Sequence, residues 1–374
     1  MKSSKSILAA SIAAIAAVAL AACGGSSSSA PASATAAAGG GAASAAPATA
    51  AATAAASDCP LGAPDPSINT TVRIAYQKIP NGDLIVKDQQ ILEKCMPNAT
   101  ITWNVFSSGG DVLQAYGAGA VDIGLTGSNP AVKALSAPLN STLPPIVNTW
   151  IFDVIGLGEA LVVKPEITSA ADLKGKQIAV PFGSTSHYSL LNWLEANGLK
   201  DTDVQLVNLE PEKMAAAWPD LAGAFVWDPS QSELVAAGGK VLASAADTAK
   251  DGKPTYDLAN GVKEFVDGNQ PFMTMWAKAQ NYAVNMINND PAAAAESISV
   301  ELAVPPADVQ KMFGGYQYLD ATAQASPQWL GGQLAKDFDS TAQFLLTQGL
   351  IDKVSASDVY AGGVTNQFAA EAAK

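Results

Sequence analysis

The chain has 374 residues, a formal net charge of −13 and only 15% charged residues. Among its 21 cations there is one arginine, Arg73, and the chain has a single histidine, His187. This argues against a basic nucleic-acid face and against a histidine-rich metal centre, and any Ser-His-Asp triad would have to use His187.

The N-terminus opens with the basic stretch Met1–Lys5. An apolar run of 16 residues follows, from Ile7 to Ala22. A membrane-spanning helix needs about 20. The run ends Leu20-Ala21-Ala22-Cys23-Gly24. Small residues at such a boundary mark export and cleavage, and the Leu-Ala-Ala-Cys tetrad resembles the lipobox of bacterial lipoproteins. That resemblance implies a signal peptide over 1–22, cleavage before Cys23 and lipid attachment to its sulfur. A plain signal peptide beside a chance cysteine is the alternative. Loss of Lys2 and Lys5 leaves 19 cations against 34 anions. Residues 24–57 are only Gly, Ser, Ala, Pro and Thr. They cannot bury enough surface to offset ordering entropy, so 23–57 reads as a flexible lipid-anchored linker with an r.m.s. reach of about 30–35 Å.

Export also bears on Cys59 and Cys95. An even pair in an oxidising compartment reads as a disulfide, and a bridge of this span contributes about 3–4 kcal/mol in the loop-entropy account. Two buried thiols are the alternative.

The folded part starts near Cys59. Residues 72–77 read as a strand, Asp83–Lys94 as one helix and Ala99–Phe106 as a strand. The turn Ser107-Ser108-Gly109-Gly110-Asp111 opens a helix to about Tyr116. Val121–Leu125 is a strand, after which Gly127-Ser128-Asn129-Pro130 opens a helix with Asn129 at the N-cap and Pro130 at the first position. Residues 145–155, 159–163, 177–181, 204–209 and 224–227 read as further strands. Helices fall at His187–Asn197, Lys213–Trp218 and after Asp228-Pro229, and the chain beyond about Gly261 is largely helical. Strands alternating with helices argue an α/β architecture with mainly parallel sheets.

Three polar turns share one design: Ser107–Asp111, Gly127-Ser128-Asn129 and Ser184-Thr185-Ser186-His187. Each follows a strand and opens a helix. Helix starts offer free N–H groups and the positive end of the dipole, hydroxyls add donors, and in open α/β sheets such turns gather at the strands' carboxyl ends. Read singly, each is a helix cap; as a set, they point to an anion site. Trp227-Asp228-Pro229 reads either as a cap before proline or as an aromatic wall and carboxylate suited to an ammonium. Tyr76 and Trp150 lie near strand ends. Glu159 and Asp257 stand beside apolar strands, with a structural salt bridge as the alternative role. His187 reads as a neutral hydrogen-bond donor to an anion. The chain has no Gly-x-Ser-x-Gly elbow, P-loop or Gly-x-Gly-x-x-Gly, so no cofactor is implied.

Val-Arg-Ile-Ala-Tyr-Gln (72–77), Phe-Ser-Ser-Gly-Gly (106–110), Gly-Ser-Asn-Pro (127–130), Asp-Leu-Lys-Gly-Lys-Gln-Ile-Ala-Val-Pro-Phe (172–182), Ser-Thr-Ser-His-Tyr-Ser (184–189) and Gly-Ala-Phe-Val-Trp (223–227) occur in order. This series resembles the alkanesulfonate, nitrate and taurine group of extracytoplasmic solute receptors of ABC importers, most specifically its taurine-binding members. The resemblance runs from Val72 onward and loosens after Trp227. It implies a two-lobed periplasmic-binding-protein fold, type II-like, with two crossovers. Lobe 1 would be 58–163 with 262–374, and lobe 2 would be 164–261. It also implies a monomer that is not an enzyme and that delivers ligand to a permease and its ATPase. The anion would meet Ser107, Gly109, Gly110, Ser128, Asn129, Ser184, Thr185, Ser186 and His187. The amine end would face Tyr76, Gln77, Glu159, Trp227, Asp228 and Asp257. The chain departs from the taurine members at Asp228, where they carry a small neutral residue, and at 218–223, which is shorter. The ligand expected is therefore taurine or a related small sulfonate. The alternatives are another small anion or an enzyme on the same fold.

Overall fold

A computed structural model describes residues 58–374. The expected signal peptide, the Cys23 lipidation site and the linker lie in 1–57, outside the described residues.

The first sheet begins with β1 (Thr71–Tyr76), α1 (Gly82–Asp88), α2 (Ile91–Cys95), β2 (Thr100–Val105), α3 (Gly109–Gly117), β3 (Ile123–Gly127), α4 (Ser128–Ala134) and β4 (Ile146–Ile155). The chain then crosses to a second sheet, built from β5 (Glu159–Val163), β6 (Gln177–Val180), α5 (Thr185–Ala196), β7 (Gln205–Asn208), α6 (Pro211–Ala217), β8 (Gly223–Trp227), α7 (Ser230–Ala236), β9 (Lys240–Ser244) and α8 (Ala245–Lys250). It returns through β10 (Thr255–Val262) to α9 (Lys263–Gly268), α10 (Gln270–Asn289), α11 (Pro291–Leu302), α12 (Pro306–Met312), β11 (Tyr316–Gln317), α13 (Ala321–Ala325), α14 (Gln333–Thr347), α15 (Ser357–Gly362) and α16 (Gln367–Ala372).

The sheets run β11-β4-β10-β3-β1-β2 and β7-β6-β8-β5-β9. Apart from β11, both follow one plan: second strand, first, third, an inserted strand, then the fourth. The expectation of mainly parallel sheets is corrected here. β1–β2, β1–β3, β6–β7 and β6–β8 are parallel, while β10 and β5 run antiparallel to both of their neighbours and β11 is antiparallel to β4. The inserted strands arrive from the opposite sheet, so they enter from the other end.

Two further expectations change. The single helix over 83–94 is two, broken at Gln90, whose φ is 52°. Leu84, Ile85, Ile91 and Leu92 are all buried, so the helical period carries through the break and conceals it. Helix α4 starts two residues earlier than read, with Gly127 rather than Asn129 as its cap and Pro130 inside the first turn.

Strands β3, β5 and β8 are buried along their whole length. Leu161, Val163, Ile178, Val180, Leu190, Leu194 and Phe225 form the apolar core between the second sheet and α5. In the first sheet a buried polar network fixes β10. Asn260 Nδ2 donates to Thr126 Oγ1 at 2.5 Å and to Asn148 Oδ1 at 3.4 Å, and the Tyr116 hydroxyl donates to the Asn260 carbonyl at 2.7 Å. This network locks the strand between β3 and β4, with Asp257 opposite both Gly127 and Asp153.

The crossing from β4 to β5 takes three residues. The Gly156 and Gly158 amides both donate to the Gly315 carbonyl at 3.0 Å, and the Tyr316 hydroxyl donates to the Gly158 carbonyl at 3.0 Å. A Cβ on Gly158 would stand 2.3 Å from the Tyr316 ring, so only glycine fits there.

Cys59 and Cys95 form a disulfide, tying the start of the described chain to the end of α2. Its separation of 36 positions gives a loop-entropy contribution of about 4 kcal/mol. Urea unfolding of Cys59→Ser/Cys95→Ser should show a loss of roughly that size, and an unchanged midpoint would refute a stabilising role.

Candidate functional site

The strand ends of both sheets meet at one crevice. Its wall includes Gln77 after β1, Gly109 and Pro130 on α3 and α4, Gly127 at the end of β3, and Ile155 at the end of β4. Asp257 on β10 and Tyr316 on β11 also come from the first sheet, and the second sheet brings Glu159 opening β5, Ser184 and Thr185 at the start of α5 and Trp227 closing β8. A strand's carboxyl end followed by a helix start recurs at β2–α3, β3–α4 and β6–α5, and α4 packs on both α3 and α5. Three helix starts therefore lie side by side, with their N–H groups directed at the crevice end.

Close approach across the crevice depends on glycine. A Cβ on Gly127 would meet Thr185 Cγ2 at 2.6 Å, and within the first-sheet side one on Gly109 would meet Pro130 Cγ at 2.9 Å, where α3 packs on α4. Ser107 Oγ also spans the two halves, donating to Glu212 Oε1 at 2.8 Å.

Ser184 caps α5, its hydroxyl accepting from the His187 amide at 3.2 Å. Thr185 Oγ1 donates to Glu159 Oε2 at 2.6 Å. Asn129 is buried with neither side-chain polar atom partnered, and Ser128 Oγ accepts from the Tyr256 amide at 3.3 Å. Ser186 is fully buried beside these groups. Gln77 lies on the wall and donates Nε2 to the Leu125 carbonyl at 3.1 Å.

Ser128, Asn129 and Ser186 sit behind the wall rather than on it, and other expected residues stand further off. Ser107 lines a wider neighbouring groove with Phe106, Pro211 and Glu212, which shares Gln77 and Trp227 with the crevice. Gly110 faces a flanking apolar pocket with Leu113, Lys133 and Phe182. The His187 ring stacks on Phe182, its Nδ1 accepting from the Gly183 amide, and burial, then Lys133, pushes its pKa down to about 4. Tyr76 donates its hydroxyl to Glu301 and packs its ring on Trp103. Asp228 Oδ1 accepts from both the backbone and hydroxyl of Ser232, while the cap position of α7 is taken by Pro229. Trp150 belongs to the core against Trp276. Arg73 is engaged by Asp122 through Nε at 3.0 Å and Nη2 at 2.6 Å, early in β1.

The sequence reading missed Asp153, Ile155 and Tyr316. Asp153 was discernible as the one acid inside the otherwise apolar Trp150–Ile155. It is fully buried, and neither carboxylate oxygen has a hydrogen-bond partner. Burial, with Asp257 and Glu159 adding their charge, holds its carboxyl well above the usual range. Burial and then Glu159 do the same to Asp257. Glu159 is pushed by burial up to about 7, against the pull of hydroxyls on Thr185, Ser186 and Ser189.

A carboxyl with a raised folded pKa makes the native state the better proton binder, so stability falls as pH climbs from the unfolded toward the folded value. His187 is shifted downward and acts below about pH 6.5. Glu159→Gln should therefore raise the Tm of the ligand-free protein by several degrees near about pH 8, with the gain shrinking toward about pH 5. Scanning calorimetry across that range checks it, and a pH-independent offset would count against a buried titrating Glu159.

Residues 104–294 match the family NMT1/THI5 like. The chain is 36% identical over 311 residues to the taurine-binding periplasmic protein of Escherichia coli (strain K12), covering 81% of this chain and 93% of that protein. It is 35% identical over 186 residues to a putative aliphatic sulfonates-binding protein of the same strain, covering 48% of this chain and 57% of that one. In fold it matches the alkanesulfonate-binding protein SsuA from Xanthomonas axonopodis pv. citri bound to MOPS, with a TM-score of 0.64 and 24% identity, covering 79% of this chain and 98% of that one. The chain belongs to the NMT1/THI5-like family and, within it, to the group of periplasmic-type solute-binding proteins that includes the taurine-binding proteins of ABC importers.

Proposed function

We propose that this chain is an extracytoplasmic solute receptor that binds taurine or a related small sulfonate between two lobes, 58–163 with 262–374 and 164–261, and delivers it to an ABC permease driven by an ATPase. In this reading the protein is exported, held to the membrane by lipid on Cys23 through the 23–57 linker, and acts as a non-enzymatic monomer. One observation carries it. The starts of α3, α4 and α5 share a crevice wall with Glu159, Trp227 and Asp257.

That pairing suits a zwitterion. A sulfonate keeps its charge throughout the physiological range, so neutral donors suffice and no titrating base is needed. Backbone N–H groups at Gly109, Gly127 and Thr185, the Ser128 hydroxyl and the Asn129 amide are the proposed anion partners, while the Ser184 hydroxyl, which donates to the Pro181 carbonyl at 2.7 Å, holds the start of α5 in place. Glu159 and Asp257 take the ammonium, with Trp227 as its aromatic wall. A bare anion such as nitrate brings nothing to match the carboxyl end. The overall negative charge does not oppose the sulfonate much, because distant exposed charges are screened while donors in a dry crevice are not.

Isothermal titration with taurine, ethanesulfonate, nitrate and sulfate tests the reading, and saturable binding of taurine without turnover is expected. Ser128→Ala and Ser184→Ala should each weaken taurine by about tenfold, while Arg73→Ala should leave affinity within about twofold. Loss of binding in Arg73→Ala alone, or no binding of any sulfonate, would overturn it.

A further inference from the structure

The carboxyl end of the crevice holds more acid than one ammonium needs. Asp153 and Asp257 are direct cross-strand partners on β4 and β10, so their side chains leave the same face of the sheet. Ile155, two residues on and on that same face, lines the crevice, as does Asp257. Asp153 thus stands one step behind the wall. Like charges directly opposed across a ladder destabilise it, and here both groups are buried.

Nothing on the neighbouring elements supplies a counter-charge. Asp257 and Glu159 act on Asp153 from β10 and β5. The phenols of Tyr316 and Tyr318 stand within reach of the charges of Asp153, Asp257 and Asp228. Both phenols already donate elsewhere, to the Gly158 and Pro80 carbonyls. Among the described residues, none of the ion pairs includes Asp153, Glu159 or Asp257, and no acidic group is arranged to hold a metal ion. The missing positive charge must be a proton or a ligand cation.

We propose that Asp153 is a specificity-determining residue that lets this end of the crevice exchange a proton for an ammonium. With an unaminated sulfonate, the Asp153–Asp257–Glu159 group keeps its protons and accommodates the ligand's neutral end. With an aminosulfonate, one carboxyl O–H bond breaks, its proton passes to solvent, and the carboxylate pairs with the ligand's ammonium, which keeps all its own protons. Selectivity for the amine is then set by the pH of the medium. This rests on the reading of the crevice as a sulfonate site.

Titrating wild-type protein with taurine and with ethanesulfonate, in phosphate and in Tris at the same pH, tests it. The apparent enthalpy for taurine should differ between buffers by the release of up to one proton, whereas that for ethanesulfonate should not show release. Between about pH 6 and pH 8, taurine affinity should climb by up to about tenfold per pH unit while ethanesulfonate affinity stays flat or falls. Asp153→Asn should remove at least half of the proton release and lower the taurine-to-ethanesulfonate preference about tenfold. Equal taurine enthalpies in both buffers would overturn the proposal while leaving sulfonate binding intact, and this comparison needs no variant. Full proton release retained by a folded Asp153→Asn would overturn the role of Asp153. Binding of neither sulfonate would remove the site reading and this inference together.

Discussion

The placement of β10 governs the crevice. This strand returns from the second sheet and inserts between β3 and β4, antiparallel to both. A strand slipped by one residue would turn its side chains to the other face, and here it would carry Asp257 away from the ligand end. The Asn260 network with Thr126, Asn148 and Tyr116 prevents the slip, because every other register would leave buried polar groups unpaired. Buried polar residues thus specify geometry where apolar packing alone would tolerate several solutions.

From that register follows a division of labour within a small space. Helix starts and hydroxyls cluster on α3, α4 and α5, and acids cluster where β4, β5 and β10 come together. Thr185 joins the two sets, as its hydroxyl is spent on Glu159 while its residue sits in the first turn of α5. Arg73, the chain's one arginine, serves the fold by bracing β1 against Asp122. At the crevice, by contrast, none of the described ion pairs takes in Asp153, Glu159 or Asp257.

Much of this was legible in the sequence. The strands near 72–76, 100–105, 177–180 and 223–227 and the polar turns after them carry local signals that survive any tertiary context, namely β-branched alternation, small turn residues and cap chemistry. The return strand Thr255–Val262 was not legible. Its Asp257, Asn260 and Gly261 interrupt the apolar pattern because they answer to partners far away in sequence. The same holds for Asp153, whose meaning depends on Asp257 standing opposite, and for Tyr316, which reaches the crevice from a two-residue strand. His187 was placed on the right helix, but its side chain turns to Phe182, a rotamer choice no spacing argument reveals. Antiparallel insertion escaped for the same reason as β10, since it is a property of the path between sheets.

The glycine crossing between β4 and β5 has a bearing on how the protein is made. Its amides and carbonyl are satisfied by Gly315 and Tyr316, the latter 158 positions beyond Gly158 in the chain. A nascent or translocating polypeptide that has exposed both sheets still lacks the segment that braces their junction. The hydrogen bonds of the junction therefore form only after residues 315 and 316 have emerged, although the other residues of the crevice wall precede them in the chain.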